Sequence, residues 1–213
     1  PVIGTMLAVA RPDRDGAATG FGPAQPTIDW LALYAQDTTG YDNLCHLVSR
    51  AHLDRPLEFS PHVVLADLVG HTDGLLCLTA ASEGALTQLL GGGQDSAAAS
   101  YADRLQVLFP DRLYIELARR NDPIEEAAEA ALIELAYARN LPLVATNPAC
   151  FAEHGFYEAH DAMLCIASST HVDSTDRPRS SKEWWIKPAA VMEELFKDLP
   201  EALANTLVVA QRC

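Results

Sequence analysis

The residues that could carry out chemistry in this 213-residue chain are few, and their spacing matches no common type of active site. The seven histidines stand at positions 46, 52, 62, 71, 154, 160 and 171. His46 and His52 are six residues apart on one predicted helix, a spacing that does not place them on one face. His154 and His160 are a closer pair beside acidic residues, and a metal site is one interpretation of them. Because no HxH or HxxxH spacing occurs, loop and surface histidines are the favoured interpretation.

Two candidate nucleophiles lack the surroundings that nucleophilic catalysis needs. Cys150 follows a predicted strand, but the sequence shows neither a base nor an electropositive setting for its thiol, so a structural cysteine is favoured. Ser82-Glu83 is not part of a GxSxG motif, and Ser82 is better explained as a helix N-cap. Gly91-Gly92-Gly93 is not followed by the lysine of a phosphate-binding loop, so it indicates the end of a helix.

A short aromatic and basic segment, Trp184-Trp185 with Lys182 and Lys187, could stack on a nucleic-acid base. Without a wider basic face this signal is weak, and packing of the tryptophans against the last helices is favoured. The net charge is −14 and the pI is near 4.7. We therefore expect the chain to bind nucleic acid weakly or not at all, because a phosphate backbone needs clustered Lys and Arg.

The cysteines indicate a reducing compartment, and the hydropathy pattern gives no sign of a membrane-spanning helix. The five cysteines are widely spaced, without a CxxC motif, at positions 45, 77, 150, 165 and 213. We interpret them as free thiols. No apolar run reaches the ~18 residues of a membrane helix, and the first residues lack the features of a secretory signal. The expected location is the cytoplasm.

Apolar runs typical of buried strands alternate with amphipathic segments along the chain. Strands are predicted near 2–9, 28–34, 75–79, 112–117 and 142–146. Helices are predicted near 38–51, 63–69, 83–90, 96–109, 123–139, 157–166, 188–196 and 200–212, with a loop over 10–26. This alternation predicts an α/β fold with a mainly parallel sheet covered by helices. The segment 112–146 is predicted to form a right-handed crossover unit.

Two helix starts and the ends of the strands carry more specific predictions. Thr38 or Thr39 is the expected cap of the first helix, whereas Asp122 is expected to cap the helix that begins at Pro123, with Glu125 completing a capping-box pair. Chemistry in such folds takes place just after the carboxyl ends of the strands. The residues expected there are Met6, Ala80–Ser82, Leu117–Asn121 and Asn147–Cys150. Few of these side chains could act as an acid, a base or a nucleophile.

Several segments, in order along nearly the whole chain, carry a resemblance to a known family. They are Gly40–Leu44, Leu47–Ala51, Phe109–Leu117, Leu141–Asn147, Tyr157–Ile166 and Leu199–Thr206. Together they resemble the amino-terminal region of bacterial C-family replicative DNA polymerases, the alpha subunit of DNA polymerase III. In that family this region is the PHP (polymerase and histidinol phosphatase) domain, a distorted β/α barrel. Its active members bind metal ions at the carboxyl ends of the strands and hydrolyse phosphoesters.

The resemblance also implies where metal ligands would stand, and this chain departs from the family's ligand types. Gly4-Thr5-Met6 replaces a Gly-x-Glu pattern, and a ligand Cys corresponds to about Ala81. A ligand His corresponds to Arg120, and an Asp-x-His pattern corresponds to Pro148 and Cys150. The family's first HxH would precede Pro1. We therefore expect no catalytic, metal-binding or cofactor-binding residue in this chain.

The resulting hypothesis is a PHP-type domain over 1–213 that lacks its first β/α units, with 188–213 as a helical exit toward the polymerase region. By resemblance the full protein is a DNA-directed DNA polymerase that uses Mg²⁺, and this part supports it and docks the proofreading exonuclease subunit and other replicase subunits. We also expect the isolated fragment either to self-associate or to leave residues 2–9 and 28–34 exposed to another chain. The alternative is an active PHP-type phosphoesterase, a 3′–5′ exonuclease or pyrophosphatase, with ligands from upstream residues.

Overall fold

A computed structural model describes residues 1–11, 26–55 and 58–213. Most of the loop predicted over 10–26 lies outside the described residues. The strands are β1 (Ile3–Ala10), β2 (Ile28–Ala35), β3 (Val63–Val64), β4 (Leu75–Leu78), β5 (Leu113–Leu117) and β6 (Leu143–Ala145). The helices are α1 (Thr38–Leu53), α2 (Ala85–Gly91), α3 (Asp95–Leu108), α4 (Pro123–Ala138), α5 (Tyr157–Ala167), α6 (Ala189–Leu195) and α7 (Pro200–Arg212). Within these ranges, no helix has the length and apolar character needed to cross a membrane.

The described strands form one sheet in the order β3-β1-β2-β4-β5-β6. Parallel pairing joins β3 to β1, β4 to β5 and β5 to β6. The strand β2 runs antiparallel to both of its neighbours, β1 and β4. The sheet is thus mixed but mostly parallel, which confirms the predicted class, and its open form agrees with part of a PHP-type barrel. The unit β5-α4-β6 is the predicted crossover.

The sheet is buried on both faces because side chains alternate along each strand. On one face Leu33, Cys77 and Ile115 join a core formed with helices α1 to α4. On the other face Leu76 and Tyr114 belong to a smaller cluster, against which residues of α7 pack. Covering of both faces explains why β4 and β5 are buried along their whole length.

Local sequence signals explain where the helices begin, with one correction. Asp122 Oδ1 accepts a hydrogen bond from Ile124 N (3.0 Å), as predicted for the start of α4. The cap of α1 is Asp37 rather than Thr38 or Thr39, since Asp37 Oδ1 accepts from Gly40 N at 2.8 Å. A carboxylate is a strong cap for the unpaired N–H groups of a first turn. The predicted helix near 63–69 is instead the short strand β3 followed by a 3-10 helix, Leu65–Leu68.

The carboxyl-terminal helices lie against the last strand of the sheet. Asn205 Nδ2, on α7, donates to the carbonyl oxygen of Leu143 at 2.7 Å, and so binds a backbone acceptor of β6. Arg119 connects the same region to α4 by hydrogen bonds to Glu129 and to Asp198. The helices predicted near 188–196 and 200–212 are present as α6 and α7, and α7 packs on the sheet.

Candidate functional site

The structure brings three of the predicted strand ends together around one side chain, that of Arg120. Its Nη2 donates to Ser82 Oγ, after β4, at 2.8 Å. Its Nη1 lies 3.4 Å from the carbonyl oxygen of Pro148, after β6. Arg120 itself follows β5. A single guanidinium therefore joins the carboxyl ends of β4, β5 and β6, where chemistry is expected in an α/β fold.

The charge of Arg120 is balanced by Glu125 in the first turn of α4. Arg120 Nη2 lies 2.5 Å and Nε 3.1 Å from Glu125 Oε1, and the two side chains are only 6% and 7% exposed. Charged groups at such burial need a partner, since desolvation otherwise costs several kcal/mol. The predicted capping-box role of Glu125 is thus wrong, because the carboxylate faces Arg120. The helix dipole also favours an acid in this turn.

A segment near the carboxyl terminus covers the Arg120 side chain. The Trp184 ring centroid lies 5.9 Å from the guanidinium carbon of Arg120, a cation–π distance. Ser181 Oγ donates to the carbonyl oxygen of Arg120 at 3.3 Å. Cys150 N donates to the carbonyl oxygen of Trp184 at 2.8 Å. The tryptophans therefore contact the strand ends, where packing against the last helices was predicted.

The carboxylate of Glu116, within β5, is a site residue that the sequence-based predictions did not include. Its Oε2 accepts from Ala80 N at 2.9 Å and its Oε1 accepts from Thr146 Oγ1 at 2.6 Å. Glu116 N donates to Thr79 Oγ1 at 2.9 Å. Burial raises the pKa of the Glu116 carboxyl above its usual range, against the lowering effect of these hydrogen bonds and of Arg120. Glu116 is the single acidic residue in the apolar strand LYIEL, and this pattern was the sequence signal that could have identified it as a site residue.

Left-handed backbone conformations cluster in the loops of this site. Ala80 and Ala81, after β4, have φ angles of 61° and 43°, and Asn121, after β5, has a φ of 54°. Asn tolerates this region, whereas alanine is strained there by roughly 1–2 kcal/mol per residue. The hydrogen bond from Ala80 N to Glu116 helps to hold the strained turn. Strain of this kind concentrates at functional positions.

Comparison with known proteins decides the family of this site. The PHP domain family matches residues 1–120. The chain belongs to the PHP domain family. It is 40% identical, over its whole length, to DNA polymerase III subunit alpha of Caulobacter vibrioides, of which it covers 18%. It is 37% identical over 86% of its length to the same subunit of Rickettsia bellii, of which it covers 16%. It is 34% identical over its whole length to that of Pseudomonas aeruginosa, of which it covers 17%.

The strand ends that the structure describes do not bring together a set of metal ligands. Ala81 and Pro148 have no ligating side-chain atom, and the positive charge of the Arg120 guanidinium repels a metal cation. Among the described residues, no group of three or more His, Cys, Asp or Glu side chains could hold a metal ion. Met6 lies in the middle of β1, opposite Ala32, and not at a strand end as predicted. The side chains described at these strand ends therefore do not fit a catalytic metal ion.

The other candidate side chains of the PHP domain have structural contacts. His154 lies edge-on to Trp185 at 5.9 Å, whereas the Nδ1 atom of His160 lies 2.6 Å from Ser180 Oγ. The two histidines thus contact different protein groups and do not face one another as a pair of metal ligands would. Cys150 is exposed, and desolvation raises the pKa of its thiol, opposite to the shift of an activated nucleophile. The triple glycine ends α2, with Gly93 in the left-handed region, as predicted.

Proposed function

We propose that this chain is the PHP region of a DNA polymerase III alpha subunit in which an internal ion pair has replaced the metal site. The observation that carries the proposal is the position of Arg120, whose guanidinium contacts residues at the ends of three neighbouring strands. Its charge is matched by Glu125 and covered by Trp184. A fixed internal cation of this kind stabilises the strand ends without supplying an open coordination position, which metal-assisted hydrolysis requires.

The role of such a domain is structural support of the polymerase and docking of other subunits. The full-length protein would act as a DNA-directed DNA polymerase with Mg²⁺ in the cytoplasm, and its metal-binding carboxylates would lie outside this chain. The partner that the resemblance implies is the proofreading exonuclease subunit. The chain's net charge of −14 leaves an acidic surface on which charge would mainly raise the rate of association with a partner of opposite sign.

Hydrolysis assays on the full-length subunit test the ion-pair proposal against the active phosphoesterase. We expect no Mn²⁺- or Zn²⁺-dependent release of 3′ nucleotides or of phosphate from pyrophosphate. Turnover that requires the metal and is lost in Cys150→Ser or His160→Gln, but not in the matched surface variants Cys45→Ser and His171→Gln, would contradict the proposal. It would favour the alternative with ligands from upstream residues.

Pull-down of the exonuclease subunit tests the docking role. The full-length alpha subunit should retain the exonuclease subunit, and deletion of the PHP region should weaken the retention. Binding that is undiminished after this deletion would refute docking by this domain and would leave the ion-pair proposal standing. A deletion of equal length elsewhere in the subunit is the control for a general loss of folding.

A further inference from the structure

Two histidines that lie far apart in the sequence meet on the surface of the structure. His46 lies on α1 and His71 follows the 3-10 helix after β3. Their ring centroids are 4.0 Å apart, with an angle of 20° between the ring planes. The sequence places His46 and His52 on one predicted helix, but not on one face, and gives no sign of a pair between His46 and His71. The fold instead pairs His46 with a residue from a different segment.

A hydrogen-bond chain through Asn43 orients the imidazole of His71. Asn43 Nδ2 donates to the carbonyl oxygen of Asp73 at 2.9 Å, so the amide presents its oxygen to the other side. Asn43 Oδ1 lies 3.4 Å from His71 Nδ1, and an oxygen can only accept there. This arrangement favours the tautomer with the proton on His71 Nδ1, which leaves the lone pair on Nε2. Metal-binding histidines are prepared in this way, by a hydrogen bond to the nitrogen that does not ligate.

The second imidazole of the pair is free to turn toward a shared ligand. His46 is exposed, and its ring has no hydrogen bond among the described residues, so its side chain can rotate. Stacked rings have nearly parallel lone pairs, so this rotation is needed for two nitrogens to converge on one ion. On α1, Asp42 stands four residues before His46 and Arg50 four residues after it, so both share its helix face, and Arg50 pairs with Asp67.

We propose that His46 and His71 form a surface binding site for a divalent transition-metal ion of the class that prefers imidazole, with water in the remaining positions. Imidazole ligands suit Ni²⁺, Cu²⁺ and Zn²⁺, whereas Mg²⁺ and Ca²⁺ prefer oxygen. The site is distinct from the strand ends around Arg120 and is independent of the proposed function. With only two protein ligands, one of them oriented by Asn43, the site should bind the metal ion with weak to moderate affinity. A closed structural site has four protein ligands.

Isothermal titration of the 213-residue chain with Ni²⁺ at pH 7.5 tests the site. We expect one binding event, weakened about tenfold or more in His46→Gln and in His71→Gln. Asn43→Leu removes the oxygen that faces His71 Nδ1 but removes no metal ligand. This variant should also weaken binding about tenfold. Binding should weaken as the solution is made more acidic, because protons compete with the metal ion for the ligating nitrogens.

Matched controls exclude the other donors of the same helix. His52→Gln, also exposed on α1, and Cys45→Ser, next to His46, should bind Ni²⁺ as the unaltered chain does. Unchanged binding in His46→Gln or His71→Gln, or loss of binding in either control, would overturn the assignment. If a histidine variant fails to fold, NMR spectra of the unaltered chain titrated with Ni²⁺ test the site instead, through paramagnetic broadening of the histidine resonances. The ring resonances of His46 and His71 should broaden first with Ni²⁺, and selective broadening of other histidines would refute the site.

Discussion

At the scale of single residues, Arg120 determines what the strand ends can do. Its position after β5 follows from the sequence, and the resemblance identifies it as a departure from a ligand histidine. Its pairing with Glu125 could not be predicted, because a Glu in a first helical turn satisfies the capping-box pattern equally well. The hydrogen bonds of Glu125 to Arg120, between two buried side chains, distinguish the two roles, and they depend on the tertiary fold.

Removal of one partner of this pair should strongly destabilise the fold. Arg120→Leu leaves the Glu125 carboxylate buried without a cation, so we expect a loss of about 3–5 kcal/mol in the free energy of unfolding. The control is Arg139→Leu, which breaks a more exposed ion pair with Asp103 and should cost ~1 kcal/mol or less. Urea unfolding measures both. The double variant Arg120→Leu/Glu125→Leu should recover most of the loss, and a failure to recover would refute the charge argument.

The buried Glu116 carboxyl should make stability depend on pH. Its pKa is raised in the folded chain, so the folded state holds a proton that the unfolded state releases. Stability should therefore fall as the pH rises from the usual Glu pKa through the raised one. In Glu116→Gln this fall should be absent, whereas the surface variant Glu126→Gln should retain it. Thermal unfolding over this pH window measures the effect, and parallel profiles for all three proteins would contradict it.

At the scale of elements, most strands and helices follow from hydrophobic alternation and caps, while three features do not. The strand β3 has only Val63 and Val64, too few residues for a period-two pattern. The direction of β2 depends on hydrogen bonds with β1 and β4, which alternation alone does not determine. The α1 cap was misassigned because Asp37, Thr38 and Thr39 are all good capping residues.

The outer edge of β1 should promote self-association of the isolated chain. Among the described residues, β3 pairs only with Val9 and Ala10, which leaves the first part of this edge without a strand. Met6 there is 42% exposed. Open edges pair with other chains, and an edge lysine prevents this. Light scattering should detect a dimer that Met6→Lys abolishes.

A matched variant distinguishes edge pairing from general surface effects. Val107→Lys, at an 81% exposed position on α3, should leave the dimer intact. A clean monomer of the unaltered chain, or equal loss of the dimer in both lysine variants, would contradict pairing through β1. The relatives are longer than this chain, which covers between 16 and 18% of those compared. Self-association is therefore predicted for the 213-residue chain alone.

At the scale of the whole molecule, charge sets the expected behaviour toward nucleic acid. With a net charge of −14, the chain can release few counterions from a phosphate backbone. Fluorescence anisotropy with primer-template DNA at physiological salt should give a Kd above ~1 μM or no binding. A sub-micromolar affinity that weakens as salt is added would show a basic surface that the net charge conceals.

The central claim, that an internal ion pair stands where related domains hold a metal, is tested most directly by anomalous diffraction. Crystals of the 213-residue chain soaked in Zn²⁺ should show no anomalous peak at the carboxyl ends of β4, β5 and β6, and the Arg120–Glu125 pair should be intact. A peak between His46 and His71 would concern only the separate surface site. A peak held by two or more of Cys150, His154 and His160 would contradict the claim.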